Sequence, residues 1–351
     1  METETKKEKI VVGLSGGVDS SAAALILKGA GHDVVGVTLL LCDSGVAEAQ
    51  KAGRAAAQIG IEHRVYDLRR LFSQKVMDYF SEEYISGATP NPCIICNSEF
   101  KFGEMLKIAH EQGAQKIATG HYAKTEKADG RYLLKRASSA KDQSYFLCRL
   151  SQTKLSAAVF PLAEKSKDEI RRLVSQAGLD TASKGDSQEV CFIPGRDYAS
   201  FICRYKSIVP IPGDFIDADS NIIGRHKGTL HYTVGQRKGL GAFGRPMYVA
   251  AIDAAANTVT LCEEGGQYSS GLVAGEMNWI AFEEPKDEFR AEVQIRHKAK
   301  PAPASVRVFE SKVFISLDSP QKSVAPGQTA VLYDGDYVLG GGRIISSAGQ
   351  S

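Results

Sequence analysis

The string Gly13-Leu14-Ser15-Gly16-Gly17-Val18-Asp19-Ser20-Ser21 is dense in groups that bind anions. Its adjacent glycines let the backbone bend so that N–H groups face inward. Ser15, Ser20 and Ser21 add hydroxyl donors, and the helix that follows adds the partial positive charge of its N-terminus. Together these make a cradle for pyrophosphate. A Walker loop ends in Gly-Lys-Ser/Thr, and no lysine stands at that place here. Asp19 is there instead, a candidate Mg²⁺ ligand beside the phosphates. The bland alternative is a tight strand-to-helix turn with Asp19 as its N-cap.

A second string, Thr89-Pro90-Asn91-Pro92-Cys93-Ile94-Ile95-Cys96-Asn97, is stiffened by its prolines. Asn97 or Ser98 is expected to cap a helix carrying Phe102, Met105, Leu106 and Ala109 on one face. That puts Cys96 at a helix N-terminus, where the macrodipole favours the thiolate. A third string, Ser187-Gln188-Glu189-Val190-Cys191-Phe192-Ile193-Pro194, reads as a polar loop running into a short apolar run. The spacings alone leave several readings open. Cys93 and Cys96 could be buried apolar thiols, or half of a zinc site that Cys191 and Cys203 complete, although that spacing matches no compact zinc ribbon. A thioredoxin-type pair needs a different strand–helix context. Three thiolates, Cys93, Cys96 and Cys191, would also suit a [4Fe–4S] cluster with one open iron. Cys42, Cys148, Cys203 and Cys262 are expected to tolerate serine.

These residues need a scaffold, and the pattern around them supplies one. Ile10 to Leu14 and Val34 to Leu41 read as buried strands, and Glu62 to Leu68 and Lys116 to Thr119 are further strand candidates. They alternate with helical stretches at Ser20 to Lys28 and Val46 to Ile59, and a later helix opens on a Ser166/Glu169 capping box. The fold class is α/β, with an N-terminal doubly wound parallel sheet. Near residue 205 the grammar changes to short alternating runs separated by turn clusters. Phe289 to Ile295, Ser305 to Phe309, Val313 to Leu317, Ala330 to Tyr333 and Val338 to Ile345 read as strands of a barrel-like domain. The expected division is 1–204, an ATP-binding catalytic domain; 205–275, a small, mostly β central domain; and 276–351, a C-terminal β-barrel domain.

SGGVDSS resembles the signature of the PP-loop ATP pyrophosphatases, which adenylate a substrate oxygen and leave pyrophosphate in the loop. With TPNPCIICN and SQEVCFI in this order, the chain resembles the tRNA-specific 2-thiouridylases along nearly its whole length. Thr119-Gly120-His121-Tyr122-Ala123, Lys141 to Phe146, His231 to Gly241 and Leu339 to Ile344 carry further matching strings. The resemblance implies 2-thiolation of the wobble uridine in tRNAs for lysine, glutamate and glutamine. The base's 2-carbonyl oxygen is adenylated, then sulfur displaces AMP. By the family's pattern Gly13, Leu14, Ser15, Gly16, Gly17, Val18, Asp19 and Ser20 bind ATP, with Leu39 and Gly120 near the nucleoside. Asn91, Pro92 and Cys93 would face the target base. His121, Lys141, Asp142, Gln143, Arg296, His297 and Gln328 would contact tRNA. Cys96 and Cys191 would be the catalytic pair, Cys191 carrying a persulfide sulfur and Cys96 closing a disulfide on it. Sulfur would come from a sulfur-carrier protein. Many members have Asp where Cys93 stands and Tyr where His297 stands.

Composition fits this assignment. The formal charge is +2, from 43 basic and 41 acidic residues, so an RNA-binding surface must be a local patch. Between Ser220 and Ile252 lie Arg225, Lys227, Arg237, Lys238 and Arg245 with no acidic residue, interleaved with His226, His231, Tyr232, Phe243 and Tyr248. That mixture suits phosphate contacts and base stacking, and a solvated loop is its plain alternative. A membrane-spanning helix needs about 20 apolar residues. The longest apolar run, Val34 to Cys42, is interrupted by Gly36 and Thr38. METETKKEKI has no apolar core, so no signal peptide is expected and a cytoplasmic location is. The competing functions are a PP-loop synthetase or amidotransferase acting on a small carboxylate, and an idle RNA-binding protein that keeps an ATP pocket.

Overall fold

The computed structural model describes residues 7–180, 190–193, 195 and 197–348. Met1 to Lys6 of the N-terminal string, and Ser187, Gln188, Glu189 and Pro194 of the third string, lie outside the described residues.

The chain opens with strand β1 (Lys9–Gly13), helix α1 (Val18–Gly29), β2 (Asp33–Leu40), α2 (Gly45–Ile59) and β3 (Glu62–Asp67). Helices α3 (Arg69–Phe72) and α4 (Asp78–Ile85) follow, joined by a π-helical stretch at Ser73–Met77. Next come α5 (Pro92–Cys96), a π-helical stretch at Asn97–Glu104, α6 (Met105–Glu111) and β4 (Lys116–Ala118). A hairpin, β5 (Ala123–Ala128) and β6 (Arg131–Arg136), precedes α7 (Gln152–Ala157), β7 (Ala158–Val159) and α8 (Lys167–Gln176).

Strands β3-β2-β1-β4-β7 form one parallel sheet in that order. Its inner strands β1 and β2 are buried on both faces, which is why they read as nearly unbroken apolar runs, whereas the edge strand β3 is largely exposed. Val11, Val35, Val37 and Ile117 enter one core; Ile10, Val12, Val34 and Ala118 enter the other. The chain leaves β1 for β2 on one side and returns to β4 on the other. That reversal opens a crevice at the carboxyl ends of β1 and β4, where α/β sheets bind ligands. Ser166 caps α8 as expected: its side chain accepts from the Glu169 N–H, and the Glu169 carboxylate accepts from the Ser166 N–H.

Helix α9 (Tyr198–Lys206) crosses residue 204 and leads into β8 (Gly213–Ile216), β9 (Ile222–His226), β10 (Tyr248–Asp253) and β11 (Thr258–Cys262). These strands make a sheet in the order β10-β11-β8-β9 around Phe215, Tyr232, Val249 and Val259. Strand β12 (Tyr268–Trp279) crosses residue 276. With β13 (Glu288–Gln294), β14 (Ala302–Phe309), β15 (Lys312–Lys322), β16 (Thr329–Asp334) and β17 (Tyr337–Ala348) it makes the expected barrel. The order is β12-β15-β14-β13-β16-β17, and β12 pairs with β17 to close it. No helix among the described residues is long and apolar enough to cross a membrane.

Two arrangements differ from the sequence expectation. The β5–β6 hairpin, turning at left-handed Asp129 and Gly130, adds itself to the edge of β17 and ties the first domain to the barrel. The helix expected from Asn97 or Ser98 begins at Pro92, whose fixed φ suits a first helical turn.

Candidate active site

The Gly13–Ser20 loop lies at the carboxyl end of β1, with Gly17 as the N-cap of α1. Gly17 has no side chain to satisfy the first N–H groups of the helix, so they remain open to an anion. Inside the loop the serines bind one another. The Ser15 N–H donates to Ser20 Oγ at 3.2 Å, and the Ser20 and Ser21 hydroxyls donate to the Gly17 carbonyl at 3.1 and 3.0 Å. Gly16 has φ +67°, and a Cβ there would stand 2.7 Å from the Glu48 carbonyl oxygen of α2. Gly120, past the end of β4, approaches the loop so closely that a Cβ would lie 2.7 Å from the Asp19 carbonyl carbon. The crevice thus brings Gly120 against the loop, while Leu39 lies half-buried near the end of β2.

Asp19 is not an N-cap. It sits in the first turn of α1, where Tyr122 Oη donates to its Oδ1 at 2.8 Å and Lys167 Nζ lies 2.8 Å from both carboxylate oxygens. Sequence reading gave the loop no lysine of its own; the fold delivers Lys167 from the first turn of α8. The capping box that opens α8 was the legible signal nearest to it. Carboxylate and hydroxyl oxygens at a phosphate cradle are a hard donor set that fits Mg²⁺.

The thiols stand on a shared apolar floor. Phe72, Phe80, Cys96, Phe100, Phe192, Ile193, Ile202 and Leu230 form one buried cluster. The Phe192 ring meets Phe72, Phe80 and Phe201 at centroid distances of 5.6, 5.4 and 5.3 Å. This anchors the chain immediately after Cys191 and leaves Cys191 itself exposed. Cys93 is exposed in the first turn of α5, and Cys96 is buried at its end. The expected thiolate at Cys96 is not what the environment favours. Cys96 lies inside a continuous helical run instead of at an N-terminus, and burial pushes its pKa up to about 11, against the opposing charge of Lys101. Lys101 also bears on Cys93 and His121, a cation at the site that sequence reading did not single out.

Cys42, which sequence reading set aside, touches Cys191. Cys42 Sγ lies 3.8 Å from the Cys191 carbonyl oxygen and 3.2 Å from Ser44 Oγ, and the Ser44 hydroxyl donates to that same carbonyl at 3.2 Å. Cys42 Sγ is the donor to that carbonyl, and its side-chain interaction with the Cys191 thiol is the main reason that the Cys42 pKa is lowered to about 6 and that of Cys191 is raised. Among the described residues no three His, Cys, Asp or Glu side chains are grouped so as to hold a metal ion. Cys93, Cys96 and Cys191 therefore do not present a ready ligand set for an iron–sulfur cluster, because one thiol is sunk in the apolar floor and another is turned to Cys42.

The barrel holds the proline loop from behind. Gln328 Nε2 donates to the Thr89 carbonyl at 2.9 Å, and the Thr89 N–H donates to the Pro326 carbonyl at 2.8 Å. Arg343 grips Glu83 through Nε and Nη2, its closest contact 2.7 Å. Asn91, the N-cap of α5, and buried Pro92 set the direction of Cys93. The residues expected to contact tRNA fall into distinct settings. His297 packs 4.3 Å from the Phe146 ring, so the Arg296–His297 pair joins the Lys141–Phe146 segment. Asp142 accepts from the Ala137 N–H and the Ser144 hydroxyl, and Gln143 Oε1 accepts from the Tyr122 N–H at 3.1 Å. His121 is buried with Nδ1 2.8 Å from Thr119 Oγ1, and burial holds its pKa well below the ordinary value, so the ring is neutral.

Three family profiles tile the chain: a tRNA methyl transferase HUP domain over residues 8–195, a tRNA methyl transferase PRC-barrel domain over 199–263, and an aminomethyltransferase beta-barrel domain over 269–344. Curated relatives include the tRNA-specific 2-thiouridylase MnmA of Clostridioides difficile strain 630, 42% identical over 97% of this chain and 99% of that protein. The protein of that name from Pelobacter propionicus is 45% identical over 97% and 98%. An MnmA 1 from Thermoanaerobacter sp. strain X514 is 44% identical over 97% and 98%. Identity at this level over 97% of the chain means that it belongs to the tRNA-specific 2-thiouridylase MnmA family.

Proposed function

We propose that this protein is an ATP-dependent tRNA-uridine 2-sulfurtransferase. One observation carries the reading: a pyrophosphate cradle at the sheet's reversal and two cysteine-bearing loops rooted in one apolar floor. The profile descriptions speak of methyl transfer, but an adenylating loop beside paired thiols suits sulfur transfer. In the first half-reaction the 2-carbonyl oxygen of a uridine attacks the α-phosphate of ATP. Pyrophosphate leaves into the Gly13–Ser20 loop, held by the open N–H groups of α1 and the serine hydroxyls. Asp19 would hold Mg²⁺ there, and the metal supplies charge neutralisation on the leaving phosphates. Lys167 keeps Asp19 oriented and adds positive charge. Leu39 and Gly120 border the nucleoside.

In the second half-reaction sulfur attacks the activated carbon and AMP leaves. Cys191, exposed on its anchored loop, takes the sulfur as a persulfide from a sulfur-carrier protein, and Cys96 is its catalytic partner. The substrate is the wobble uridine of tRNAs for lysine, glutamate and glutamine, flipped from the anticodon stack toward Asn91, Pro92 and Cys93. Lys141, Asp142, Gln143, Arg296, His297 and Gln328 shape the surface around it, with His121 beneath. The work takes place in the cytoplasm. The deciding experiment incubates protein, ATP and a persulfide donor with and without unmodified tRNA, and follows AMP and 2-thiouridine. The reading requires AMP that depends on tRNA and appears together with thiouridine. AMP that depends on a small carboxylate and ignores tRNA would identify a synthetase, and no AMP at all an idle binder.

A further inference from the structure

One ammonium stands against both oxygens of the Asp19 carboxylate. Lys167 Nζ is 2.8 Å from Oδ1 and 2.8 Å from Oδ2, and the lysine side chain is 11% exposed, so water screens the pair little. Lys167 is the first residue of α8. The Ser166–Glu169 capping box fixes its backbone, and Ile170 and Val174 root the helix in the core that also holds Val18 and Ala22 of α1. The ammonium itself ends a flexible four-carbon stem. Tyr122 Oη holds Asp19 separately, donating to Oδ1 at 2.8 Å. Tyr122 is pinned by its backbone, which donates its N–H to Gln143 Oε1 at 3.1 Å and accepts from the Gln143 N–H at 2.8 Å. Asp19 thus has one partner on a fixed segment and one on a movable arm. This carboxylate is also the one the loop offers to Mg²⁺. A divalent cation placed on it would meet the ammonium at close range, and like charges so near repel strongly. Lys167 and the metal therefore compete for Asp19.

We propose that Lys167 is an exchangeable cation: it neutralises Asp19 until Mg²⁺ and nucleotide enter, then moves to the β- and γ-phosphate oxygens. There it does the work of the lysine that a Walker loop carries within itself. The inference deepens the adenylation reading above and rests on it. The stretch Gly13–Ser20 has a single charged side chain, and it is the negative Asp19. The open N–H groups of α1 supply only partial positive charge. Pyrophosphate gains negative charge as its bond to the α-phosphate breaks, so a full cation is worth most at that moment. An ammonium locked on Asp19 would cancel the carboxylate and be cancelled by it. Exchange lets each charge act on a partner of its own, and Tyr122 keeps the carboxylate aimed after the lysine leaves. It also links the two ligands. Lys167 gives up Asp19 readily only when phosphate oxygens are there to receive it, so metal and nucleotide enter together and the metal alone is held weakly.

Two probes test the exchange, Mn²⁺ alone and inorganic pyrophosphate. They are applied to wild type and to Lys167→Met, which keeps most of the stem and removes the charge. Electron paramagnetic resonance counts free Mn²⁺, and isothermal titration measures pyrophosphate binding in the presence of Mg²⁺. The two affinities should move in opposite directions. Lys167→Met should bind Mn²⁺ alone about tenfold or more tightly than wild type, and pyrophosphate about tenfold or more weakly, since each change reflects one charge-assisted contact. The gain for Mn²⁺ should disappear when Asp19→Ala is added. A lysine that merely braces Asp19 would leave the Mn²⁺ affinity of Lys167→Met unchanged or lowered, and that result overturns the inference. An unchanged pyrophosphate affinity, or a Mn²⁺ gain that survives Asp19→Ala, overturns it as well. A crystal structure of wild type with Mg²⁺ and pyrophosphate answers the question without any variant. Lys167 Nζ must lie on phosphate oxygens and off Asp19, and an intact Asp19–Lys167 pair beside bound pyrophosphate overturns the exchange. If wild type forms no AMP from ATP and tRNA, the adenylation reading has failed; if it forms AMP and the pair stays intact, only the exchange has.

Discussion

At the residue scale the site is a set of charges held in fixed relation. Asp19 lies between Tyr122 and Lys167, so its carboxylate is aimed before any ligand arrives. Asp19→Ala should abolish tRNA-dependent AMP formation while the fold survives, because neutralising the leaving phosphates is worth several kcal/mol in the transition state. Near-normal AMP formation in a folded variant would remove Asp19 from the mechanism. Gly16 makes a sharper case. Its φ of +67° and the 2.7 Å approach to the Glu48 carbonyl leave no room for a methyl group. Gly16→Ala should therefore push α2 away and spoil the cradle, on top of the roughly 1–2 kcal/mol that a left-handed residue with a Cβ costs. Isothermal titration should find ATP affinity lost well before the melting temperature collapses. Unchanged ATP affinity would mean that the loop does not hold the phosphates.

At the scale of elements, the position of each thiol is set by what lies behind it. Cys191 is exposed, but Phe192 and Ile193 are driven into the floor made by α4, α5 and α9. Phe192→Ala deletes a ring with three edge or tilted aromatic neighbours, a change that costs roughly 3–5 kcal/mol in a packed core. It should lower the melting temperature and also cut persulfide loading at Cys191, while Cys93 alkylates as before; equal loading in both proteins would show that the anchor does not position the thiol. The sheet, α1, α2, the α8 capping box and the barrel strands were legible because each announces itself locally, by apolar runs, by Ser166/Glu169 or by period-two alternation. The β5–β6 hairpin was equally legible in its Asp129-Gly130 turn and was passed over. The start of α5 was hidden because a helix opening on Pro92 looks like a stiff loop when two prolines sit so close together. Lys167, Lys101 and Cys42 were not legible at all. Lys167 and Cys42 meet residues far from them in sequence, which only tertiary packing reveals; Lys101 lies in the helical run that continues from Cys96, but no motif marks it.

For the whole molecule, the question is how a protein with a net charge of only +2 holds a polyanion. Charges that are already paired contribute little, since a cation facing a carboxylate releases no counterion from tRNA unless that pair first breaks. The basic stretch of the central domain divides on this point. Arg225 is 2.9 Å from Asp214, and Arg245 is ion-paired to Glu263 at 2.6 Å. Arg237 and Lys238 have no carboxylate partner among the described residues. They are carried on a loop that turns at left-handed Gly235, Gly239 and Gly241, and Gln236 Nε2 braces the loop by donating to the Lys238 carbonyl at 2.9 Å. The same domain packs Leu230 into the floor beneath the thiols, so a phosphate held at Arg237 and Lys238 is held by a body docked to the catalytic site. Arg237→Ala and Lys238→Ala should each weaken tRNA binding and reduce the slope of log K against log salt by about 0.7–0.9 per lost contact. ATP affinity should not change in either. Arg225→Ala should move the slope less, because its charge is already spent on Asp214. Filter binding of unmodified tRNA at several salt concentrations measures all three. Equal slopes in the Arg237, Lys238 and Arg225 variants would mean that the unpaired cations do not meet phosphate, and that tRNA is gripped by the Lys141–Phe146 and Arg296–His297 surface alone.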